Sequence, residues 1–227
     1  MAQLRQQAAQ GEIILGYVDE TGICSTPDNR YAWTIKGQVH QVTAIRSKRV
    51  NIIGALLSTG HFVTACLQES VTGEYFYAYV MGVAKQIKEK YNIPLTLIVD
   101  NASIHKSKKM QAWRDLLEQD FNVRLYFLPP YSPELNRIEM LWRSMKYQWR
   151  EFKWMPTNEI VQWVNGISRG LVINTCLLFR SDLIPKKGSS SLSNKSNQIA
   201  EYIARKIQFT YIPAVRLNKR RLVLLMK

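Results

Sequence analysis

Three carboxylates stand where they could do chemistry together. Asp19 follows the apolar run 13–18, Asp100 follows the run 95–99, and Glu139 lies one turn into a helical stretch beyond the bend 129–133. In an open α/β sheet the carboxyl ends of strands face the ligand crevice, so acids ending two neighbouring strands come within reach of a shared ion. A third acid on a packed helix completes an all-oxygen donor set. Magnesium or manganese suits that set, because hard cations take carboxylate and water oxygens in octahedral geometry. Three acids without a paired lysine repel one another in an empty site, and two divalent ions would relieve the repulsion. Such a pair of ions performs phosphoryl transfer: one activates water or a 3′-hydroxyl, the other stabilises the leaving oxygen. Taken singly, each acid also has an ordinary use. A strand-end Asp forms turns or caps helices, as Asp100 could for the segment after it, and a helical Glu is normally solvated.

The elements that must position these acids follow from hydropathy. Residues 13–18 (IILGYV) read as a buried strand with Asp19 at its end. Residues 25–41 are rich in turn formers and read as a loop. Residues 49–58 form a second strand, and 61–68 alternate and pair back around Gly60 as a hairpin. Residues 75–91 carry apolar groups at helical spacing through Phe76, Tyr79, Val80, Val83, Ala84 and Ile87, with Pro94 as the stop. Residues 95–99 (LTLIV) read as a central strand buried on both faces. An amphipathic helix over 107–120, a strand over 123–128, a helix over 135–149 and a further helix over 158–167 complete the pattern. The first three strands suit an antiparallel meander, while the later helical crossovers require parallel neighbours. The expected fold class is therefore α/β, an RNase H-like mixed sheet with helices on both faces. Residues 1–12 read as a polar linker, 13–168 as the domain, and 169–227 as a basic tail.

Charge narrows the partner. Lys and Arg number 31 against 17 Asp and Glu, a formal net charge of +14. From residue 151 onward there are 13 basic and 4 acidic residues, against 18 and 13 before it. That balance points to a polyanion, nucleic acid before a membrane surface. No apolar run approaches the length of a membrane span, and residues 1–12 contain no apolar signal region. Cys24, Cys66 and Cys176 form no CxxC pair, which leaves a zinc knuckle or a disulfide framework unsupported. A cytoplasmic protein with reduced thiols, nucleoid-associated when bound to DNA, is expected.

Three ordered motifs carry a resemblance. Gly16-Tyr17-Val18-Asp19-Glu20-Thr21-Gly22, then Val99-Asp100-Asn101-Ala102-Ser103-Ile104-His105, then Pro130-Tyr131-Ser132-Pro133-Glu134-Leu135-Asn136-Arg137-Ile138-Glu139-Met140-Leu141-Trp142 resemble the motifs of the mariner superfamily of DDE transposases, in its bacterial insertion-sequence branch. The third is the most specific, and the resemblance spans residues 13–150. It implies an RNase H-like catalytic domain that uses Mg²⁺ or Mn²⁺, cleaves double-stranded DNA at element ends and transfers the strand into target DNA. It implies that Asp19, Asp100 and Glu139 are the catalytic, metal-holding triad, and that the protein pairs as a homodimer on DNA. One departure sits beside the site: Arg137 stands where the family often has proline.

Neighbouring residues have paired readings. His105 either contacts the scissile phosphate or a metal-bound water, or serves the start of a helix. Asn101 and Asn136 either orient the carboxylates or make turns and caps. Glu20 should point away from Asp19 if the strand continues. Arg143 and Lys146 follow Glu139 at helical spacing and either hold the DNA backbone or pair with the acid. Lys106, Lys108 and Lys109 read as a phosphate-contact patch beside the second motif, or as ordinary solvated lysines. Trp142 and Trp149 read as core.

The family's helix-turn-helix recognition module has no room before residue 13. Sequence-specific DNA binding is then expected from another polypeptide, or the chain is a remnant. Residues 170–227 carry no family motif and read as translated out of the ancestral frame or as a basic DNA-holding arm. Two rivals to a transposase remain at this level: a silent DNA-binding remnant or inhibitor of transposition, and an RNase H or resolvase-type nuclease on the same fold.

Overall fold

The first apolar run continues further than its hydropathy indicates. A computed structural model describes residues 1–27, 35–39, 47–170 and 176–178. In it strand β1 is Ile14–Cys24, and Asp19 lies inside the strand instead of at its end. The cause is the neighbour: β2 (Arg49–Leu57) pairs antiparallel along β1 from Gly16↔Leu57 to Cys24↔Arg49, so the backbone stays satisfied past the polar residues. On the other side β4 (Leu95–Val99) runs parallel and its register stops at Tyr17↔Ile98. Asp19 and Asp100 each lie two residues beyond that last pair, at one level of the sheet.

Two of the remaining strands follow the expected connectivity, while a sixth strand arises inside the segment that reads as tail. β3 (Phe62–Leu67) closes the hairpin on β2, and β5 (Val123–Phe127) pairs parallel with β4. The short β6 (Cys176–Leu178) pairs parallel with β3, giving the order β5-β4-β1-β2-β3-β6. The rest of the basic tail, 171–175 and 179–227, lies outside the described residues, as do 28–34 and 40–46, which overlap the expected loop 25–41.

Strand alternation sorts side chains onto two faces. Ile14, Val18, Ile53, Leu97 and Val99 pack under α2 (Gly73–Tyr91) together with Phe76, Tyr79, Val80 and Val83. Leu15, Tyr17, Ile23, Ile52 and Ile98 pack on the other face against Ile138, Leu141 and Trp142. The last three belong to α5 (Ile138–Ser144), and Ile160 and Val164 of α6 (Thr157–Gly170) join them. Helix α2 starts at a Thr72 cap and stops at Asn92, which takes the left-handed conformation (φ 51°) before Pro94 is reached. Residues 2–9, expected as linker, form α1, and Met1, Leu4 and Ala8 rest on the second cluster.

Two expected helices are segmented. The stretch 107–120 becomes a 3₁₀ turn at Lys108–Met110 and α4 (Gln111–Phe121), and a short α3 (Ser103–Lys106) precedes it, cut off because Ser107 is extended (ψ 146°). The stretch 135–149 becomes a 3₁₀ turn at Pro133–Leu135, then α5, then a π turn at Met145–Trp149; Asn136 (ψ 99°) makes the first break. Arg137 has φ −61°, the angle a proline would impose, so its departure from the family pattern leaves helix entry intact. Among the described residues no helix is long and apolar enough to cross a membrane.

Candidate active site

Asp19 sits on the α5 face of β1, in step with Tyr17 and Ile23. The Trp142 indole N–H donates to its Oδ2 at 3.1 Å. Gly54, opposite Asp19 on β2, makes that reach possible: a Cβ there would lie 2.5 Å from the Trp142 ring. The indole is 2 % exposed and stacks edge-on against Phe62 at 5.6 Å. Trp142 is therefore core, as expected, and also a carboxylate partner, which hydropathy alone could not reveal. Burial, followed by the nearby charges of Glu139 and Glu20, raises the Asp19 carboxyl to about 8.

Asp100 follows β4 directly. Its Oδ1 accepts from the Ala102 N–H at 3.1 Å, a local turn, while α3 has no side-chain cap. The same oxygen lies 3.2 Å from His105 Nε2. Contact with the His105 imidazole is the main reason the Asp100 carboxyl falls below its usual range, although burial opposes it. His105 is fully buried, and burial alone would lower its pKa. Contacts with Asp100 and Glu20 override that and raise it to about 9.

Glu139 lies in the first turn of α5 with its side chain exposed. The start of that helix is pinned by Asn136, 3 % exposed, whose Nδ2 donates to the Val18 carbonyl at 3.3 Å. Asn136 thus holds the backbone beside Asp19. Asp19, Asp100, Asn101, Asn136 and Glu139 line one cleft of about 400 Å³, walled by the loop from Leu128 to Pro133. Tyr131, fully exposed and left-handed (φ 57°), stands on that wall; sequence reading passed over it except as part of a motif.

The oxygen donors that line the cleft are of the type a hard divalent ion takes. Burial, with the neighbouring charges of Glu139 and Glu20, favours the protonated form of Asp19, and a cation would replace that proton. Among the described residues no group of three or more Asp, Glu, His or Cys side chains stands close enough together to hold an ion by itself. Magnesium is commonly held by one or two carboxylates, with water and substrate phosphate supplying the rest.

The basic residues lie outside the cleft lining. Lys106, Lys108 and Arg143 are exposed and Lys146 is half-buried; Lys106 Nζ sits 4.8 Å from the Phe127 ring centre. No ion pair joins Arg143 or Lys146 to Glu139 among the described residues, so both cations are available to a ligand. The side chain of Lys109 lies outside the described residues. Glu20 points to the α2 face, away from Asp19, as its position in a continuing strand requires.

A mixed sheet with three acids from β1, the end of β4 and α5 around one cleft is an RNase H-like fold with an acid-lined cleft. Residues 15–161 match the DDE superfamily endonuclease family, and the chain belongs to that family. It is 32 % identical over 132 residues to the insertion element IS630 uncharacterized 39 kDa protein of Shigella sonnei, covering 57 % of this chain and 36 % of that protein. It also resembles the Mos1 transposase paired-end complex with left transposon end (TM-score 0.55, 19 % identity), covering 73 % of this chain and 50 % of that one. The Mos1 mariner paired end complex with Mn gives the same TM-score at 20 % identity, with 73 % and 51 % covered. At such identities the likeness is one of fold. The chain spans about a third of the insertion-element relative and half of the transposase chains.

Proposed function

We propose that this chain is the catalytic domain of a transposase, which cuts DNA at the ends of a mobile element and joins the freed end to target DNA. The observation that carries this reading is the convergence of Asp19, Asp100 and Glu139 on one cleft from β1, the end of β4 and α5. Support comes from the family, from the insertion-element relative and from the transposon-end complexes that share the fold.

The reaction is two displacements at phosphorus. In the first, water oxygen bonds to phosphorus and the P–O3′ bond breaks, leaving a 3′-hydroxyl and a 5′-phosphate. In the second, that 3′-hydroxyl bonds to a target phosphorus and displaces the target's own 3′-oxygen. Asp19, Asp100 and Glu139 would hold two Mg²⁺ or Mn²⁺ ions, which supply Lewis-acid activation of the attacking oxygen and charge neutralisation at the leaving one. Trp142 fixes one oxygen of Asp19, and His105 with the Ala102 N–H fixes one oxygen of Asp100. Asn136 keeps Glu139 on the far wall by tying α5 to β1. Arg143, Lys146, Lys106 and Lys108 meet the DNA backbone around the cleft.

Nicking of labelled plasmid and oligonucleotide DNA, with Mg²⁺, Mn²⁺ or EDTA, tests the proposal. Wild type should cut only with metal, and Asp100→Asn should bind DNA, melt like wild type and not cut. Cutting that persists in Asp100→Asn would overturn the assignment.

A further inference from the structure

Glu20 lies next to Asp19 in the chain but on the opposite face of the sheet, where the cleft does not reach. It is largely buried there. Its side chain is 20 % exposed and its Oε1 is buried, 3.6 Å from Nε2 of His105. The same nitrogen lies 3.2 Å from Oδ1 of Asp100. One ring nitrogen therefore faces two carboxylates, one from β1 and one from the end of β4.

The ring has little freedom. His105 is fully buried, with Phe76 packed against it at 4.0 Å between centroids. Its carbonyl accepts from the Tyr77 hydroxyl at 2.7 Å and from Arg114 Nη1 at 2.8 Å, so the backbone beneath the ring is held as well. An oxygen as deeply placed as Glu20 Oε1 carries a desolvation cost unless a polar partner faces it. Here the described group beside it is His105 Nε2, which also faces Asp100.

Both described contacts of Asp100, with the Ala102 N–H and with His105, use Oδ1. That leaves Oδ2 as the donor to an ion in the cleft. Resting on the catalytic reading above, we infer that Glu20 is a positioning residue that acts through His105: it holds the imidazole against Asp100 Oδ1 and so presents Oδ2 to the divalent ion. Partners of this kind, one step removed from the metal, set the orientation of the group that binds it.

The test is Mn²⁺ binding to the full chain without DNA, followed by electron paramagnetic resonance, for wild type, Glu20→Ala, His105→Gln and the double variant. Thermal melts run alongside, with the isosteric Glu20→Gln as substitute if Glu20→Ala unfolds. Each single change should weaken Mn²⁺ binding by about 10-fold, and the double variant should be no weaker than His105→Gln alone. Wild-type affinity in Glu20→Ala, or independent additive losses in the double variant, would overturn the inference while leaving the metal site standing. If wild type binds no Mn²⁺, or Asp100→Asn leaves binding unchanged, the catalytic reading fails and this inference falls with it.

Discussion

Trp142 and Asp19, separated by 123 positions in the chain, meet through a 3.1 Å hydrogen bond from indole N–H to carboxylate. The bond exists because Gly54 presents no side chain between β2 and the ring. A core aromatic on α5 thus sets the angle of an acid on β1.

Trp142→Phe keeps the ring against Phe62 and removes the donor. The expected cost is about 1–2 kcal/mol of stability and about tenfold in Mn²⁺ affinity. A Mn²⁺ titration beside a urea melt measures both. Unchanged affinity would show that the hydrogen bond serves packing alone.

Gly54→Ala should be destabilising by about 1–3 kcal/mol, since the new methyl must displace a buried indole. Gly166→Ala is the contrast. It lies on α6 with no atom within 4 Å of an added Cβ, and should gain up to about 1 kcal/mol from helix propensity. Paired thermal melts decide whether space or glycine itself matters at residue 54.

His61 should make the fold acid-sensitive. Burial, aided by the charge of Lys90 and opposed by the Thr59 carbonyl, lowers its pKa from the ordinary 6.5. The folded state therefore prefers the neutral ring, while the unfolded chain takes up a proton as pH falls through 6.5. Stability is lost from that point downward until the folded-state ring itself titrates. Urea midpoints at pH 7.5 and 5.5 should fall more in wild type than in His61→Gln; equal falls would assign the acid sensitivity elsewhere.

Arg143→Ala and Lys146→Ala should each weaken DNA binding about equally across sequences and lower the slope of log affinity against log salt by about 1. Neither change should alter the melting temperature by more than about 2 °C, because both heads lie outside the core. Salt-dependent binding curves check this, and a slope that does not move would remove these residues from the interface.

Much of the layout was legible in the residues. The hairpin 49–68, the central strand 95–99 and the crossover helices were marked by runs and periods that hydropathy exposes. Asp19 was misplaced at a strand end because Glu20, Thr21 and Gly22 look like punctuation. They are strand because β2 continues to pair them. The helix over 135–149 read as continuous because Ile138, Leu141, Trp142 and Met145 keep helical spacing; the extended Asn136 and the π turn change backbone angles without disturbing that spacing.

By itself the sequence determined the alternation of strands and helices, the three acids and the basic balance, because each is written in local composition, spacing or motif. Only the tertiary structure decided which partners those acids have. Trp142 on Asp19, Asn136 on Val18, and Glu20 on the His105 imidazole that also faces Asp100 each join residues more than 80 positions apart in the chain. Sheet order and strand alternation bring them together. Neither hydropathy nor spacing carries that information, since both describe a residue's neighbours along the chain and not its neighbours across the sheet.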